Sequence, residues 1–123
     1  MALHVDKLAS ELVDTLRGKA LDGWDRISSF VTKQSKAIAT QAAWITESRI
    51  SGVLKSDDEL FDFFVSQLKD SIESMAHAVA VLTVLTIEET WNAVVGIVWG
   101  AINTALTGAG LGFLRIPPVP PQA

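Results

Sequence analysis

The sequence predicts an all-α fold: helical hairpins packed as a bundle of long amphipathic helices, with an extended Pro-rich C-terminal tail and an oligomeric state. Three observations point there. Apolar residues recur at helical spacing through most of residues 5–107, and Gly and Pro gather only at a few points between. Of the 123 residues, 49% are hydrophobic and mean hydropathy is +0.32, which leaves apolar surface over for association once one core is filled. Residues 90–114 carry no formal charge yet keep a polar stripe, as expected of a helix wedged between neighbours. Length implies one helical domain, residues 1–107, followed by a Gly/Pro-rich extended tail, residues 108–123.

The first helix is expected over residues 5–19. Val5, Leu8, Leu12 and Leu16 fall on one side, and Asp6, Lys7, Glu11 and Asp14 keep the other wet. Gly18 and Asp22-Gly23 punctuate the chain, with Asp22 a candidate cap for the next helix. That second helix, residues 23–51, repeats by sevens: Trp24, Val31, Ile38 and Ile45 form one row, with Phe30, Ala37 and Trp44 beside it. The remaining seam row, Ile27, Gln34, Gln41 and Ser48, turns polar after its first member, so buried amides would fix register at a cost in stability. Arg49 in the last turn and Gly52 beyond it read as a stop.

The third helix begins at a capping box, Ser56-Asp57-Asp58-Glu59, whose acids face the positive end of the helix dipole. Its stripe is Phe61, Phe64, Leu68, Ile72, Met75, Val79 and Leu82, and residues 78–87 are so uniformly apolar that burial on all sides is expected. Extending that stripe past Leu82 leads to the wrong side of the last helix, so a break or kink is expected near residues 86–90, where Thr86 and Glu89 have capping-box spacing. One unbroken rod from residue 57 to 107 would instead span about 75 Å.

On the last helix Trp91, Val94, Val95, Val98, Trp99, Ile102, Ala105 and Leu106 share a bulky side; Asn92, Gly96, Gly100, Asn103, Thr104 and Thr107 lie opposite. Gly96-x-x-x-Gly100 is the spacing that lets two helix backbones approach closely. The expected oligomer interface is therefore Trp91, Val95, Gly96, Val98, Trp99, Gly100, Ile102 and Asn103. Pro117, Pro118, Pro120 and Pro121 impose an extended tail. Phe113, Leu114, Arg115, Ile116, Pro118 and Pro121 are the residues expected to dock it across a neighbouring subunit. Arg115-x-x-Pro118-x-x-Pro121 also has the general form of a ligand for a polyproline-binding domain, a short and common pattern that makes such a partner unlikely.

Chemistry is thin. The chain has no Cys and two His, and its net charge of −4 argues against nucleic acid. Residues 1–55 hold eight basic and six acidic residues, while residues 56–123 hold two and eight. Asp70, Glu73 and His77 can share a helix face, but one Glu-x-x-x-His does not meet the ligand demand of a carboxylate-bridged metal bundle. Adjacent Glu88 and Glu89 point about 100° apart and cannot flank one bond. The Gly108-x-Gly110-x-Gly112 run follows a helix, not a strand, and so reads as a hinge. No catalytic, cofactor or metal residue is assigned.

The expected function is non-enzymatic: a structural or scaffolding protein, such as a small assembly or virion component, working by helical homo-oligomerisation. The alternative is a membrane-associating or membrane-inserting helical hairpin through residues 76–114. Against it, no basic cluster orients that segment and Trp91 and Trp99 do not form a two-sided belt. The N-terminus lacks a signal peptide's basic start and apolar run, so a cytoplasmic location is the default expectation, with membrane association as the alternative.

Overall fold

The computed structural model describes residues 3–119, and every regular element within them is helical. Four α-helices follow in order: α1 Val5–Ala20, α2 Trp24–Ser51, α3 Asp58–Leu82 and α4 Ile87–Gly108. A short 3-10 turn, Leu21–Gly23, joins α1 to α2. Each helix packs on the next and α4 closes on α1, while α2 also meets α4 across the middle. The accessible surface, 6810 Å², is near the roughly 6,400 Å² expected for a folded monomer of 13.2 kDa, so the chain is about as compact as a monomer of its size.

The packing explains where the heptad reading holds and where it does not. Val31, Ile38 and Ile45 are buried as their seven-residue spacing predicts, and Ile27 joins them. Because α2 has neighbours on three sides, Ser35, Ala39, Ala42, Ala43, Thr46 and Ser48 are buried as well. Small side chains there let α2 sit between helices, and the buried Thr46 hydroxyl donates to its own helix at Ala42 O (2.8 Å). Trp44 is displaced to the surface, where its ring meets Phe64 edge-on at 4.8 Å. Asp22 does not cap α2; Gly23 occupies that position without a side-chain bond.

α3 departs from expectation at both ends. Its cap is Asp57, not Ser56: the Asp57 carboxylate accepts from Leu60 N (3.0 Å). On the core stripe Val65 is buried where Phe64 was expected, and Phe64 is half-buried between the rings of Trp44 and Phe63. The apolar run beyond residue 78 is not enclosed. α3 stops at Leu82, and the turn to α4 leaves Val81, Leu82 and Val84 in solvent with only Leu85 buried. The expected break is present, a few residues early at 83–86. Thr86 and Glu89 form the capping box that starts α4: Thr86 Oγ1 accepts from Glu89 N (3.0 Å), and Glu89 Oε1 accepts from Thr86 N (3.1 Å).

Candidate functional site

The bulky side of α4 faces inward. Trp91, Val94, Val95, Val98, Trp99, Ile102 and Leu106 are all buried within the single chain. Of the residues expected between subunits, Trp91, Val95, Val98, Trp99 and Ile102 therefore serve the chain's own core, and Asn103 is buried on an intrachain partner. Gly96 and Gly100 are exposed.

That partner is the tail. α4 ends in a Schellman motif: Leu111 N donates to Leu106 O (2.8 Å) and Gly110 N to Thr107 O (3.0 Å), with Gly110 at φ +81. The chain thus turns back along its own helix. The Asn103 side chain pairs with Leu114 as a strand would, its Nδ2 donating to Leu114 O (2.9 Å) and its Oδ1 accepting from Leu114 N (2.6 Å). Trp99 Nε1 donates to the next carbonyl, Arg115 O (3.1 Å). The tail docks on its own chain, where it had been expected across a neighbour. Leu111, Leu114 and Val119 pack on the core and Pro117 is buried. Phe113, Arg115, Ile116 and Pro118 remain exposed, and Pro121 lies outside the described residues. Gly110→Ala is expected to cost about 1 kcal/mol in urea denaturation, because a side chain there is strained at positive φ. Its added Cβ meets nothing within 4 Å, so the cost is conformational alone.

Folding the tail back creates a trough. Gly96, Gly100 and Thr104 form its floor and line two adjoining grooves of about 510 and 490 Å³. The first turns of α1, with Leu3, His4 and Lys7, make one wall; Phe113 and Ile116 of the tail make the other. The Thr104 hydroxyl donates to Gly100 O (2.8 Å), which leaves its methyl for the floor. A Cβ added at Gly96 or Gly100 would meet nothing within 4 Å. Each glycine inside a helix costs about 0.8–1.0 kcal/mol relative to Ala, and no contact within the chain requires either of them.

Other chemistry is not assembled. Among the described residues no three His, Asp or Glu side chains group as metal ligands; His77 is exposed and Glu73 half-buried. Among the same residues no helix is long and apolar enough to cross a membrane. The sequence signal missed for the tail was Gly110 followed by Leu111, a glycine and then an apolar residue after the helix, the pattern of a Schellman reversal. No protein-family model, no characterised protein and no solved structure matches the chain.

Proposed function

We propose that this chain is a self-associating structural module whose primary contact is the Gly96/Gly100 trough of α4, docked against the same trough of a second copy. One observation carries the reading: two glycines destabilise an exposed helix face, and a Cβ at either would meet nothing within 4 Å in their own chain. Backbone left bare in this way suits the close approach of another helix. A second copy is the favoured occupant because floor and ridge lie side by side. Phe113 is 74% exposed and Ile116 58%, and they border the trough they would fill on a mate related by a two-fold axis. His4, Lys7 and Glu11 at the far rim supply the polar margin usual around such a contact.

The test is Gly96→Leu with Gly100→Leu, followed by light scattering after size exclusion. Both side chains enter open space in the monomer, so helical content and thermal stability should hold or rise. The assembly should fall in mass, because the leucines keep the two backbones apart. An unchanged mass in a folded double variant would sink the proposal.

A further inference from the structure

A second apolar surface lies at the end of the bundle, where the α1–α2 turn meets the α3–α4 turn. Leu21 is 73% exposed, Val81 83% and Val84 89%, with Leu82 also exposed beside them. The two turns are held together at Gly23, where an added Cβ would come within 3.2 Å of Thr83 Cγ2. Leu21 is also strained. Its φ of 50° and ψ of −117° belong to the first central position of a type II′ turn, a place glycine normally fills. A large aliphatic residue is thus kept in solvent on backbone that disfavours it. Between the turns runs a groove of about 480 Å³ with Asp22 and Arg26 on its lining.

We infer that this tip is a second self-docking surface, pairing end to end with the tip of another copy. Asp22 and Arg26 decide the occupant. They carry opposite charges on one patch, and neither makes an ion pair among the described residues. Two-fold pairing sets Asp22 of each copy near Arg26 of the other, as an isologous contact requires. Four exposed side chains present less than the roughly 800 Å² per partner of a standard stable interface, so the contact is weak and concentration-dependent. The inference rests on the trough reading for its consequence: two distinct two-fold contacts on one chain carry the assembly past a dimer, to a closed dihedral set where the axes meet and to a line where they do not.

The experiment measures mass against concentration by light scattering for four proteins: the wild type, Val81→Ser with Val84→Ser, Gly96→Leu with Gly100→Leu, and all four changes together. Wild-type mass should climb past two chains as concentration rises. Each double variant should level off at twice the 13.2 kDa chain, and the quadruple variant should stay at one chain. A tip variant that grows like wild type overturns the inference whatever the trough does. A trough variant that grows like wild type overturns the trough reading and leaves the tip to be judged by its own pair. Leu21→Gly adds a readout of opposite sign: the melting temperature should rise as strain is relieved, while growth is lost. A fall in melting temperature with growth intact would mark Leu21 as merely structural. Wild-type flotation with phosphatidylcholine vesicles that the tip variant abolishes would assign the tip to lipid and also overturn it.

Discussion

Trp99→Ala is expected to lower the unfolding free energy by about 3–5 kcal/mol, the largest single-residue effect in the chain. Trp99 heads the largest fully buried side chains, so its removal deletes core volume between α4 and its neighbours. The same change cuts the bond from its indole to Arg115 O, one of three that fasten the tail. Against a typical total of about 5–15 kcal/mol, the loss is a large fraction of stability. Two further variants separate the contributions. Trp99→Phe keeps most of the packing and loses the hydrogen bond, at about 1 kcal/mol plus some lost ring volume. Asn103→Ala releases Leu114 from both of its bonds. Since Trp99 and Asn103 hold consecutive residues of one strap, a double-mutant cycle of Trp99→Phe with Asn103→Ala should show coupling beyond the roughly 0.3–0.5 kcal/mol scatter of independent sites. Additive costs would mean that the two side chains do not act as one clamp. Trypsin cleavage after Arg115 gives a second view, and it should quicken in every variant that loosens the strap.

The helices were legible because their signals are local. Leu8, Leu12 and Leu16 repeat at helical spacing, and the capping residues Thr86 and Glu89 stand three apart whatever surrounds them. The break before α4 is signalled by a change of phase in the apolar stripe, a change that one long helix passing between two sets of neighbours would also show. The tail was not legible, because Asn103 and Leu114 are eleven residues apart and the polar side of α4 reads alike for a partner in the same chain or in another. Residues 78–87 misled for a related reason: hydropathy states that a side chain prefers burial, but the turn after Leu82 decides whether a neighbour is there to provide it. Ser56 and Asp57 can both cap, and only the geometry of the turn selects Asp57. The trough floor was visible as Gly96-x-x-x-Gly100, whereas its second wall depends on the tail's reversal. The strain at Leu21 left no trace in the sequence, since it is a property of the backbone.

Arg49→Ala is expected to cost about 2–3 kcal/mol, because one guanidinium closes the turn between α2 and α3. The turn itself depends on Gly52, where an added Cβ would lie 2.9 Å from Ser48 Cα. With the chain drawn in this tightly, Arg49 Nη1 donates to Leu54 O (2.8 Å) and Nη2 pairs with Asp58 Oδ1 (2.8 Å). The group also lies 4.4 Å from the centre of the Phe61 ring. These contacts are unequal. Asp58 is 86% exposed, so that ion pair is worth well under 1 kcal/mol and weakens with salt. The bond to Leu54 O and the stacking on Phe61 are better shielded, since Arg49 itself is only 22% exposed, and they carry most of the effect. Urea denaturation of three variants separates the two contributions. Asp58→Asn should cost less than 1 kcal/mol. Arg49→Lys should recover less than half of the Arg49→Ala loss, because an ammonium cannot serve the carbonyl, the ring and the carboxylate at once. If Asp58→Asn proved as costly as Arg49→Ala, the ion pair would be the fastening after all. The turn would then loosen in high salt, an outcome that the shielded bond to Leu54 excludes.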